Sequence, residues 1–196
     1  MIKEDVLNIA KSSNGIVTTK NLKEHSIPTI YLTRLEKEGK IFRVDKGIYL
    51  TEDGMYDEYY IFQYRYSKAI YSHVSALYLL NLTDKIPQYL EVSVPYSYKF
   101  NDKNTRLNVR YVKPDIYNLG VRDVKTMFGN NVRVYDAERT ICDLILDRDK
   151  IESELYVSVI KAYIKDKNRD IKKLLNYAER MNILEKVRVL MEVYFE

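Results

Sequence analysis

Arg34 and Lys37 in "PTIYLTRLEKEGK", with Arg43 and Lys46 in "GKIFRVDKGIYL", are the residues whose types and spacing first suggest chemistry. A guanidinium can pair with guanine O6 and N7, threonines can meet a base or a thymine methyl, and lysines neutralise phosphates. A helix that turns Leu32 and Leu35 inward leaves Thr29, Thr33, Arg34 and Lys37 on its outer face. Lys20, Lys40, Arg43 and Lys46 then suit phosphate contacts around it. Glu36, Glu38 and Asp45 are interleaved with them and dilute the field.

Catalytic groupings are less complete. Asp84 and Glu91 in "DKIPQYLEVSV" imitate the carboxylates of a metal nuclease, but the lysine that should follow on the strand is Ser93. Ser72 stands beside His73 with no sign of a third member or an oxyanion hole. His25, His73 and Cys142 have no zinc-site spacing, and the six glycines never cluster into a phosphate loop. His25 reads as a helix-end residue and His73 as a hydrogen-bonded structural one. "DAERTICDLILDRD" reads as a helix with Arg139 and Asp143 as a plain surface pair, four residues apart and worth a few tenths of a kcal/mol. The run Lys161, Lys165, Lys167, Arg169, Lys172 and Lys173 fits a solvated face or a second nucleic-acid surface. The expectation is a protein without obvious enzyme chemistry, cofactor or metal.

The elements that must position the basic residues follow from periodicity. Ile2, Val6, Leu7, Ile9 and Ala10 repeat as in a helix that Asn14-Gly15 stops. A short helix capped by Thr18 or Thr19 runs through Leu22 to about His25. A longer one starts near Ser26 and Pro28 and ends at Gly39. Apolar runs at 41–44 and 48–50 flank Asp45-Lys46-Gly47 as a hairpin. This order predicts a winged helix-turn-helix over residues 1–54. Ile41, Phe42, Val44, Ile48 and Tyr49 are expected to share its core with Leu22, Leu32 and Leu35.

Residues 55–196 read as a larger mixed α+β domain ending in a helical bundle, so the fold class is α+β. Strands are expected in "AIY", "QYLEVSVPYSY" and "RLNVRYVKP", and a hairpin around Gly129-Asn130-Asn131. Helices are expected at 57–67, 72–82, 136–147, 151–165, 169–181 and 183–195. Val187, Leu190, Met191 and Tyr194 would line the last of these.

The totals restrict the function classes. The 196 residues carry 32 Lys and Arg against 28 Asp and Glu, a net charge of +4, so any nucleic-acid surface must be local. No apolar run approaches the roughly 20 residues that cross a bilayer. A single cysteine and no leader-like start fit a cytoplasmic protein.

"GIVTTKNLKEHSIPTIYLTRLEKEGKIFRVDKGIYL" resembles the amino-terminal winged helix of the AbiEi abortive-infection antitoxins. "SHVSALYLLNLTDKIP", "EVSVP" and "RTICDLI" follow in the order of that family, and the matches span most of residues 15–148. The resemblance implies the antitoxin of a type IV toxin–antitoxin phage-defence pair, whose toxin is nucleotidyltransferase-like. It implies autorepression through inverted repeats in double-stranded promoter DNA, with Thr29, Thr33, Arg34, Lys37, Arg43 and Lys46 facing DNA. It implies that the larger domain counters the toxin without requiring a tight complex. The expected state is a monomer in solution that binds operator cooperatively. Two rivals stay open: a ligand-responsive winged-helix repressor without antitoxin activity, and an enzyme acting on the toxin.

Overall fold

The protein is described by a computed structural model covering residues 2–101 and 106–195, with side chains through Glu192. Tyr194 therefore lies outside the described side chains. The chain divides into two compact units, Met1–Ser67 together with Lys125–Val132, and Lys68–Val124 together with Arg133–Glu196. Among the described residues the strands form one three-stranded and one five-stranded sheet.

In the first unit, α1 (Ile2–Ser12) turns Val6 and Ala10 inward and ends at Asn14-Gly15. β1 (Ile16–Thr18) follows, and Thr18 closes a capping box with Asn21 at the start of α2 (Thr19–Glu24). Such a cap contributes about 1 kcal/mol. α3 (Ile30–Lys37) begins at Thr29 rather than at Ser26, because Ser26 and Pro28 belong to the turn, Ser26 with φ of 56°. It stops at Gly39, whose φ is 68°. β2 (Ile41–Asp45) and β3 (Ile48–Thr51) form the wing. This is a winged helix-turn-helix.

A third strand, unanticipated from sequence, holds the hairpin down. β1 pairs antiparallel with β3, so β3 lies between β1 and β2. The turn is the two residues Lys46-Gly47, and the register shifts between Arg43 and Asp45. Nor do the wing's apolar residues all enter one core. Ile41 and Tyr49 pack with Val17, Leu22, Leu32 and Leu35. Ile48 lies on the other face with Ile16 and Ile61, partly covered by Val44, Leu50, Tyr60 and Tyr64. Phe42, opposite Leu50 on β3, stays outside that cluster and is 51% exposed. The strand period of two separates what the sequence reading had merged.

Ile61, Tyr60 and Tyr64 of the second face come from α4 (Glu58–Arg65), beyond the sequence-based limit at residue 54. Buried Asp57 caps α4 by accepting from the Tyr60 N–H at 3.1 Å. Its other oxygen accepts from Thr126 Oγ1 at 2.5 Å and Asn130 Nδ2 at 2.8 Å. These bonds account for the inclusion of 125–132 in this unit.

The second unit contains β4 (Ile70–Tyr71), α5 (His73–Leu79), β5 (Leu90–Pro95), β6 (Leu107–Val112) and α6 (Pro114–Tyr117). β7 (Val121–Lys125) and β8 (Asn131–Tyr135) complete a sheet of order β6-β5-β4-β8-β7. β5 runs parallel to β6 and antiparallel to β4, while β4 runs parallel to β8. Then come α7 (Ala137–Leu146), α8 (Ser153–Lys165), α9 (Ile171–Arg180) and α10 (Leu184–Phe195). Their core joins Leu77, Ile141, Leu144, Val159, Ile160, Leu174 and Val187.

α7 is buried nearly all round, which changes the meaning of its charges. Arg139 and Asp143 are 1% and 7% exposed at their side chains, not a surface pair, with Nε and Oδ1 3.0 Å apart. The Arg139 guanidinium also donates to the carbonyls of Ile116 and Leu119 and lies 4.2 Å from the centre of the Tyr135 ring. Asp136 and Glu138 share Lys173, each at 2.9 Å, which raises the ammonium's pKa against the cost of its own burial.

Candidate nucleic-acid interface

All eight residues singled out from the sequence are exposed: Lys20, Thr29, Thr33, Arg34, Lys37, Lys40, Arg43 and Lys46. Leu32 and Leu35 anchor α3 at 1% exposure each, so Thr33, Arg34 and Lys37 stand on the opposite side. Thr29 is the N-cap residue without a side-chain capping bond, which leaves its hydroxyl uncommitted to the helix. The Arg34 guanidinium carbon is 5.2 Å from the centre of the Tyr31 ring, a contact that restricts the side chain's freedom before any ligand arrives.

Sequence reasoning missed two members of this surface. Ile30 is 50% exposed and continues the stripe of Thr33, Arg34 and Lys37 by helical spacing. Arg65 lies on α4 and, with Arg43, Lys46, Thr19 and Tyr64, lines a surface recess of about 600 Å³. Spacing along α3 was enough to find Ile30. Arg65, on α4, lies past the expected limit of the winged helix at residue 54, where spacing along α3 gives no sign of it.

The interleaved carboxylates are partly neutralised within the unit. Lys3 on α1 pairs with Glu38. Arg65 Nη2 lies 2.8 Å from Asp45 Oδ1, and this hydrogen bond raises the guanidinium's pKa. Asp45 also accepts from the Lys46 backbone N–H at 2.6 Å, and its carbonyl accepts from Arg43 Nε at 3.3 Å. Those bonds shape the wing tip and leave the Lys46 ammonium clear of them. Lys20, by contrast, lies 3.7 Å from Glu24 one helical turn away, so its charge is the most compensated of the eight.

The carboxylates that imitated a nuclease have separate settings. Asp84 is exposed in the loop after α5. Glu91 is buried, with Oε2 accepting from the Val74 N–H at 2.7 Å and Oε1 3.3 Å from Arg110. It thus supplies the α5 cap expected from Ser72, whose hydroxyl instead accepts from Ser93 at 3.0 Å. His25 is exposed at the C-cap of α2, with Nδ1 2.9 Å from the Asn21 carbonyl. His73 is buried, with Nε2 3.3 Å from Asp147 Oδ2.

Residues 4–51, which run from the first turn of α1 to the end of β3, match the family model described as "Transcriptional regulator, AbiEi antitoxin". Over these residues the amino-terminal unit is similar to that regulator and antitoxin family. That similarity supports a role as antitoxin or DNA-binding regulator, and the matched residues contain all eight basic and hydroxyl positions, between 20 and 46, with Arg34 central to them. Comparison with curated proteins gives no match. The RV2827C protein from Mycobacterium tuberculosis, known from a crystal structure, shares the fold with a TM-score of 0.56 and 14% identity. The similarity covers 93% of this chain and 75% of that one. No helix among the described residues is long and apolar enough to cross a membrane.

Proposed function

We propose that this protein is the antitoxin of a type IV phage-defence pair and represses its own operon. The observation that carries the reading is the outward stripe of Thr29, Thr33, Arg34 and Lys37 on a helix anchored by Leu32 and Leu35, in a domain of the AbiEi antitoxin family. α3 enters the major groove, Arg34 addresses a guanine, and the threonines and Ile30 address neighbouring bases. Lys40, Arg43 and Lys46 hold phosphates, with Lys20 as a weaker contributor. Inverted repeats place two copies on one operator, since the symmetry of the site mirrors that of its readers. The region beyond the winged helix counters a nucleotidyltransferase-like toxin in the cytoplasm.

The two activities separate experimentally. Arg34→Ala with Lys37→Ala loses operator binding in a gel-shift assay while the variant still protects cells expressing the neighbouring toxin. Arg34→Ala alone weakens binding by about 1–3 kcal/mol for a bidentate guanine contact. Loss of protection together with operator binding contradicts the modular reading. A ligand-responsive repressor, the main rival, gives no protection in any form.

A further inference from the structure

The second unit contains a cleft of about 520 Å³ that uses none of the residues of the nucleic-acid interface. His73 and Asp143 line it and are 3% and 5% exposed. Asp143 Oδ1 is occupied by Arg139, but Oδ2 is buried without a hydrogen-bond partner among the described residues. The same holds for His73 Nδ1, whereas its Nε2 lies 3.3 Å from Asp147 Oδ2. Buried polar atoms are nearly always paired, and two unpaired ones around one cleft mark a place where a ligand completes the pairing. His73 also sits at φ of 49° without being glycine, in a backbone region that collects at binding sites.

The walls indicate the ligand's chemistry. Arg110, Lys113, Arg139, Lys150 and Arg180 line the cleft against Asp115, Asp143 and Asp147. Arg110 and Arg139 are committed to carboxylates in the interior. The exposed cations at the rim are less committed. Arg180 donates to the Asp115 carbonyl, Lys150 is 71% exposed beside Asp147, and Lys113 has no carboxylate partner among the described residues. Tyr96 and Tyr111 stand at the same rim, 68% and 47% exposed, with ring centres 6.3 Å apart. The buried end therefore offers Asp143 Oδ2 as an acceptor for donors, the outer end accepts negative charge, and the tyrosines offer faces to a planar group.

We propose that this cleft binds a small organic phosphate ester, with its hydroxyl donors on Asp143 and His73 and its phosphate on Lys113, Lys150 and Arg180. Calorimetric titration of the full chain tests this with AMP, ribose 5-phosphate and inorganic phosphate. At least one ester binds more tightly than inorganic phosphate, and Lys113→Ala with Lys150→Ala weakens it by about tenfold or more. Both lysines are exposed, so the double variant keeps its fold, checked by circular dichroism. Asp143→Asn, where it folds, weakens the ester but not inorganic phosphate. AMP binding more tightly than ribose 5-phosphate identifies a nucleotide stacked on the tyrosines; equal affinities identify a sugar phosphate. Absence of binding by both esters, parity with inorganic phosphate, or indifference to the lysine substitutions overturns the proposal.

Discussion

Arg139 is among the largest fully buried side chains, and its charge is held by Asp143 and two carbonyls. Arg139→Ala leaves that carboxylate uncompensated and is expected to cost about 3–5 kcal/mol in urea denaturation. Replacing both partners by apolar residues costs less, because no lone buried charge remains. The spacing of four residues was legible in the sequence, but not the burial that decides its energy. Asp147 illustrates the same gap. The nearby His73 ring, then Lys150 and Arg110, hold its carboxyl well below the ordinary value of 3.8, against the opposing effect of burial. A depressed carboxylate contributes stability that is present above its unfolded-state value and lost as pH falls toward its folded-state value. Asp147→Asn is therefore expected to lower stability at pH 7 and to flatten the decline below about pH 4, measured by denaturation across that range. The outward face of α3 was the most legible feature of all, since its exposure depends only on Leu32 and Leu35 pointing inward.

Among the elements, the wing depends on its turn. Gly47 has φ of 75°, and an added Cβ would lie 2.8 Å from Thr19 Oγ1, which is hydrogen-bonded to the Tyr64 hydroxyl at 2.9 Å. Gly47→Ala is expected to destabilise the protein by about 1–2 kcal/mol and to weaken operator binding, read from the denaturation midpoint and a gel shift. Helices with caps or stop signals were found from sequence nearly to the residue, as at Thr18 and Gly39. β1 was not, because three residues carry no usable period and its partner β3 lies thirty residues on. The parallel pairing of β5 with β6 was hidden for a similar reason: alternation marks a strand but says nothing of its neighbour's direction.

For the whole molecule, a net charge of +4 gives little general affinity for DNA, so binding should reside in the localised contacts of the first unit. With about five phosphates neutralised, log affinity is expected to fall against log salt with a slope of about −4 to −5. Replacing Lys46 by alanine should reduce that slope by about one, whatever the operator sequence, whereas replacing Arg34 should also relax base preference. Titrations over a series of salt concentrations check both. The composition of the units was less legible than their number. An amino-terminal winged helix with a local basic stripe and a larger α+β remainder could be read from pattern, but nothing local to residues 125–132 announces that they complete the fold of the first.

That inclusion has a temporal consequence. During synthesis, Asp57 leaves the ribosome long before Thr126 and Asn130, the side chains that satisfy its second oxygen. A nascent chain therefore cannot complete its first unit until residue 132 has emerged, by which time residues 68–124 of the second have also been translated.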